Sequence, residues 1–274
     1  MTEFPERLPR VDPSQPPEAA APSGQPRRLL IVHNPVAGWR RVERFRQTVG
    51  QLERHGCPID VQATTGPGDA EAIAAAAEAV DVVVVAGGDG TVNEALNGLM
   101  QRPGGMLPLA VIPLGTANVL AGELGLPTDP EAAARAIAHG RIVTAHLGRA
   151  RFDGRSRGFA LMAGAGFDAQ AVGRVRTRVK RRLGKGAYIL AGLETAARYR
   201  YPPLRVRIDG TAHDCAQAVV CKGHFYAGRY VLAPEARPWL PDLHVVLFER
   251  SGTFNAARYA LGMQLDRLSR MDDV

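Results

Sequence analysis

Asp89 stands where an acid is unusual, inside the glycine-rich turn Gly87-Gly88-Asp89-Gly90-Thr91. Three glycines in four positions let the backbone approach a ligand closely and turn with positive φ where needed. The preceding DVVVVA reads as a buried strand, and the segment from Val92 to about Met100 reads as a helix. A helix opening just past the turn offers free N–H groups and a positive dipole end, which suit a phosphate. A phosphate cradle gains nothing from a carboxylate, so Asp89 points to chemistry through a metal ion or a substrate hydroxyl. The same residues admit a plain structural reading, because Thr91 and Glu94 fit a T-x-x-E capping box.

Three further turns resemble this one in placement. The chain from residue 28 repeats strand, turn, helix. Strand 28–33 ends in Asn34-Pro35-Val36-Ala37-Gly38, and a helix over 42–55 carries Val42, Phe45, Val49 and Leu52 at helical spacing. Strand 59–63 is followed by Thr64-Thr65-Gly66-Pro67-Gly68, and Asp69 is placed to cap an alanine-rich helix reaching about Ala79. Strand 109–112 leads into Pro113-Leu114-Gly115-Thr116-Ala117-Asn118. Asp129-Pro130 opens another helix and Gly140 ends it. Such alternation predicts a doubly wound α/β unit, a parallel sheet with helices on both faces. All four polar turns then fall beyond the carboxyl ends of the strands, where ligands bind in such sheets. Neither a P-loop nor a dinucleotide fingerprint is present.

After about Leu147 the pattern changes to short strands separated by glycine turns, at 159–163, 205–208, 216–221 and 244–248, with a helix near 187–199. This predicts a second, β-rich unit. Asp209-Gly210 reads as a hairpin turn. The expected division is therefore a tail over 1–27, an α/β domain over 28–146 and a β-rich domain over 147–274. The tail is proline-rich and poor in large apolar residues, which predicts disorder, and it has no apolar core of a secretory signal.

The 274 residues carry a net charge of +7, and no stretch approaches the 18 apolar residues of a membrane span. Cys57, Cys215 and Cys221 lack metal spacing and read as reduced thiols of a cytoplasmic protein. Residues 174–185 hold seven of the basic side chains, suited to an anionic membrane surface at roughly 1 kcal/mol per charge. A solvated face is the alternative. No aromatics interleave with these charges, which speaks against nucleic acid.

With the turns assembled, the chain resembles the diacylglycerol kinase catalytic family, which includes bacterial lipid kinases and sphingosine kinases, with NAD kinases as distant relatives. The resemblance covers roughly residues 28–265. It is carried by NPVAG, TTGPGDA, VAGGDGTVNEALNGL, IPLGTANVLAGELGLP, AGAGFDAQAV, the K-x-x-x-G-K-G-A-Y run from Lys180 and YAGRYVLAPEA. It implies that ATP, with Mg²⁺, lies across the turns and that its γ-phosphate passes to a lipid hydroxyl bound between two domains, the second one β-rich and sandwich-like. Carried onto this chain, Asn34, Thr65, Gly87, Gly88, Gly90, Thr91, Gly115 and Thr116 would hold nucleotide. Glu94 would lie near its end, and Asp89 would orient the acceptor hydroxyl or help place Mg²⁺. The implied setting is cytoplasmic, peripheral at the inner membrane face. The acceptor stays open among diacylglycerol, monoacylglycerol, ceramide-like and isoprenoid alcohols, and a homodimer stays open too.

Two positions depart from the family pattern. An Asp-Gly-Leu run that helps hold magnesium is expected after A-P-E-A, but here its Asp falls on Leu240 and its Gly on Pro241, leaving Asp242 as the substitute metal ligand. A late Asp-Gly-Glu is absent after Phe248. The expectation for these 274 residues is ATP binding with slow phosphorylation of lipid. The competing readings are a soluble-metabolite kinase of the NAD type and a catalytically inactive nucleotide- or lipid-binding homologue. PLGTAN and APEA favour a lipid kinase over the first of these.

Overall fold

The computed structural model describes residues 25–37, 41–167, 169 and 202–274. Most of the proline-rich tail, the basic run at 174–185 and the helix expected at 187–199 lie outside the described residues. The α/β part opens with β1 (Leu29–His33), α1 (Val42–Arg54), β2 (Ile59–Ala63), α2 (Asp69–Ala75) and β3 (Val82–Gly87). It continues with α3 (Asp89–Gln101), β4 (Leu109–Pro113), α4 (Val119–Glu123) and α5 (Pro130–His139). The strands form a parallel sheet in the order β2-β1-β3-β4. Alternate side chains feed two cores, as the two-residue period of a strand requires. Leu29, Ile31, Val82 and Val84 meet Leu52 of α1 and Ile137 of α5, while Leu30, Val32, Val83 and Val85 meet Ala74 of α2 and Leu99 of α3. Strands buried on both faces explain the unbroken apolar run in β3.

Three local expectations need correction. Helix α3 begins at Asp89, not Val92, with Gly88 as its N-cap in extended backbone. Thr91 therefore lies in the first turn and no capping box forms. Helix α2 has Gly68 as N-cap, at φ 90°, and stops at Ala75. Asp69 turns back instead: one carboxylate oxygen accepts from the Thr65 hydroxyl and N–H, both at 2.7 Å, and from the Gly66 N–H at 3.0 Å. Those hydrogen bonds, the Thr65 hydroxyl first, hold its carboxyl below the ordinary pKa. The strand expected at 159–163 is two strands, β6 (Arg155–Phe159) and β7 (Met162–Gly166). Buried Asn97 of α3 exchanges two hydrogen bonds with the Gly158 backbone, at 2.8 and 3.0 Å, which pins β6 to α3. Meanwhile β7 joins another sheet, so the chain must bend between them.

That second sheet is antiparallel. It pairs β7 and a later strand (His244–Phe248) with a central strand over Gln217–Cys221. Strand β5 (Gly148–Phe152) hairpins with β6, and Leu204–Ile208 hairpins with Thr211–Cys215. Asp209 at φ 47° and Gly210 at φ 89° make the second turn the primed type that the Asp-Gly pair announced. A helix over Thr253–Gln264, not foreseen in the sequence, covers this sheet and closes a core of Val219, Cys221, Phe248, Tyr259 and Leu268. All three cysteines are buried and form no disulfide.

Asp273 ties down this last core. It accepts from the Tyr259 hydroxyl at 2.9 Å and from Arg258, with Arg250 at 3.3 Å. Burial pushes its pKa up, but the hydrogen bonds from Arg258 and Tyr259 and the arginine charges outweigh this and hold it below the ordinary value. A depressed native pKa stabilises the fold above the unfolded value of about 3.9 and ceases to do so as pH falls through the native one. Asp273→Asn should therefore lower the melting temperature at pH 7, and the deficit should shrink towards pH 3. A deficit constant across that range would assign the loss to packing instead of charge.

Candidate functional site

The four turns converge beyond the carboxyl edge of the parallel sheet. The connection from β1 goes to β2 on one side, and the next crosses to β3 on the other, so a crevice opens between β1 and β3. Asn34 and Thr91 close its floor: the Asn34 amide donates to the Thr91 hydroxyl at 2.9 Å, and the Asn34 N–H donates to the Ala86 carbonyl at 2.9 Å. Thr91 is buried and Asn34 half-buried. His33, ending β1, stacks on Phe45 at 4.0 Å, and burial lowers its imidazole pKa.

The turn after β3 meets the turn after β4 backbone to backbone. The Gly87 carbonyl accepts from the N–H groups of Leu114 and Gly115, at 2.9 and 3.2 Å. A Cβ on Gly88 would lie 3.1 Å from the Gly115 Cα, and a Cβ on Gly115 would lie 2.5 Å from the Gly88 Cα. These glycines are therefore required by the contact of two turns. Asp89 adds to it by accepting from the Leu120 N–H at 3.2 Å. Asn118, the N-cap residue of α4 in the left-handed region at φ 47°, donates its amide to the Gly115 carbonyl at 2.8 Å and makes no side-chain capping bond to the helix.

Gly87, Gly88, Asp89, Thr91, Gly115 and Asn34 are thus joined by direct contacts. Gly90 and Thr116 are exposed at the rim. Glu94 accepts from the Gly68 N–H at 3.1 Å, fixing the turn after β2 to α3. Thr65 is exposed, with its hydroxyl engaged by Asp69. The first turn of α3 has no side-chain cap, so its leading N–H groups and dipole end face the crevice. Asp242 lies elsewhere: it is exposed, and its backbone carbonyl accepts from Lys222. Among the described residues, no group of three or more His, Cys, Asp or Glu side chains could hold a metal.

Sequence reasoning missed two features. Arg41 reaches over the crevice and donates to the Gly115 carbonyl. The signal was a basic residue just past the Asn34 turn. Glu123, buried at the end of α4, accepts from the Phe225 N–H, and its other oxygen lies 2.7 Å from His224 Nδ1. This carboxylate links the Gly115 turn to the β-rich part, and no local pattern announces such a pairing.

A cavity of about 280 Å³ lies beside the crevice. Asn93 and Glu94, one turn along α3 from Asp89, form one wall, and Phe152, Arg157, Phe159 and Ala163 form the other. Among the described residues, no helix is long and apolar enough to cross a membrane.

Residues 28–150 match the diacylglycerol kinase catalytic domain family, and residues 162–264 match the YegS C-terminal NAD kinase beta sandwich-like domain. Over 76% of its length the chain is 34% identical to a diacylglycerol kinase of Mycobacterium tuberculosis, spanning 69% of that protein. Over 68% of its length it is 35% identical to a Stenotrophomonas maltophilia protein named "Probable lipid kinase YegS-like", spanning 60% of it. A crystal structure of a diacylglycerol kinase from Bacillus anthracis superposes with a TM-score of 0.61 at 26% identity, covering 89% of this chain and 78% of that one.

Proposed function

Because the chain belongs to the diacylglycerol kinase catalytic domain family, we propose that it transfers the γ-phosphate of ATP to the hydroxyl of a lipid alcohol. The observation that carries this reading is the crevice itself, where a bare helix N-terminus, two glycine turns in backbone contact and one acid, Asp89, meet. Phosphoryl transfer asks the protein mainly for positioning and charge neutralisation. The N–H groups of α3 and the turns at Gly87, Gly88, Gly90, Gly115 and Thr116 would cradle phosphates. Asn34, Thr65, Thr91 and Glu94 would border the nucleotide, and the Arg41 guanidinium would add positive charge at the mouth.

Mg²⁺ fits this crevice in its usual manner, through one or two carboxylates beside substrate phosphates. Asp89 is the carboxylate placed to take part, and a bound ion would neutralise phosphate charge there. In the same crevice Asp89 would accept a hydrogen bond from the acceptor hydroxyl and orient it. The neighbouring cavity, with Phe152 and Phe159 in its wall, would take the part of the lipid next to that hydroxyl. The domain division that follows is nucleotide over 28–146 and lipid over 147–274, with the enzyme peripheral at an anionic membrane face.

Saturating ATP with Mg²⁺ should raise the melting temperature of the protein, since a ligand at about 100 times its Kd stabilises the native state by about 2.7 kcal/mol. An unmoved melting temperature would take the nucleotide out of this crevice.

A further inference from the structure

Lys222 follows the central strand of the second sheet and is 1% exposed. Its backbone N–H donates to the Leu161 carbonyl at 2.6 Å, which fixes the residue against the bend between β6 and β7. Its ammonium is buried with the loop that precedes the strand at His244–Phe248. There it donates to the Leu240 carbonyl and, at 2.9 Å, to the Asp242 carbonyl. The loop turns at this place, with the Leu240 N–H donating to the Arg237 carbonyl at 3.2 Å.

Carbonyl oxygens two residues apart that converge on one buried positive charge form the kind of environment a hard cation takes in a protein. The family resemblance puts a magnesium-holding acid at position 240, and the residues present do not fit that ion. Leu240 has no ligand atom in its side chain, Asp242 meets the converging point with its backbone carbonyl, and a lysine occupies it. We propose that the Lys222 ammonium is the resident cation of the 237–242 loop, and that this loop binds no divalent metal. The lysine supplies three N–H donors from a fixed stem, so two carbonyls are satisfied without an ion that chelators could remove. This inference does not depend on kinase activity.

The test is thermal melting of the whole chain without nucleotide, in EDTA and in excess Mg²⁺. The parent should melt at the same temperature in both. Lys222→Met keeps the volume and removes the charge and donors. It should melt lower by at least about 5 °C, because two part-buried carbonyls lose the charged donor they share. A parent whose melting temperature drops in EDTA and returns with Mg²⁺ would overturn the proposal, and so would a Lys222→Met variant as stable as the parent. Should Lys222→Met fail to fold, the comparison of the parent in EDTA and Mg²⁺ decides alone.

Discussion

Asp89→Asn leaves nucleotide bound and lowers turnover by at least about a hundredfold, the range typical of a lost acid–base or positioning group. The variant separates the proposed catalytic role of Asp89 from its structural ones. As an acceptor from the Leu120 N–H at 3.2 Å, Asp89 helps hold α4 against the start of α3, and an asparagine carbonyl oxygen can keep that bond. As an acid in the first turn of α3 it also favours the helix dipole, a contribution of roughly 0.3–1 kcal/mol. Losing that shifts the melting temperature slightly and cannot produce a hundredfold loss of rate at saturating ATP. Steady-state kinetics with the melting curve beside them check the point. Turnover within a few-fold of the parent would leave Asp89 with its structural role alone.

Gly115→Ala cuts the stabilisation by ATP to about half or less at the same ATP concentration. The added Cβ would lie 2.5 Å from the Gly88 Cα and 2.7 Å from the Asn118 side-chain oxygen, so the two turns must part. Overpacking of this kind costs about 1–3 kcal/mol. Concentrated at the phosphate cradle, it corresponds to a roughly tenfold to hundredfold loss of affinity. Gly50→Ala on α1, where a Cβ meets nothing within 4 Å, is the control and should bind as the parent does. Equal ATP shifts in Gly115→Ala and the control would mean that the contact between the turns does not shape the nucleotide site.

The α/β half was legible because its signals are local. The apolar run before Gly87, the Asp129-Pro130 start and the helical spacing of Phe45, Val49 and Leu52 each state their own structure, and a parallel sheet then follows from alternation. Where contacts from distant segments decide, the sequence was silent or misleading. The apparent capping box of Thr91 and Glu94 dissolved because Asn34, 57 residues away, takes the threonine, and Gly68, 26 away, takes the glutamate. Asp69 looked like a cap and instead braces the turn behind it. The strand at 159–163 broke because Asn97 holds one half. Arg41, Glu123 and Lys222 escaped notice since their meaning lies in partners 18 to 102 residues away. Family resemblance supplied what spacing could not, namely the expectation that the four turns share one ligand.

Transfer of labelled phosphate tests the central claim most directly. The 274-residue chain is incubated with γ-labelled ATP, Mg²⁺ and a panel of lipid alcohols in mixed micelles, and the organic phase is counted against parallel reactions with soluble acceptors, NAD among them. Label should enter the lipid fraction, at a rate below the order of 10 s⁻¹ common among enzymes. It should vanish from that fraction with Asp89→Asn. Label in a soluble acceptor, or none anywhere from a chain that binds ATP, would contradict a lipid kinase.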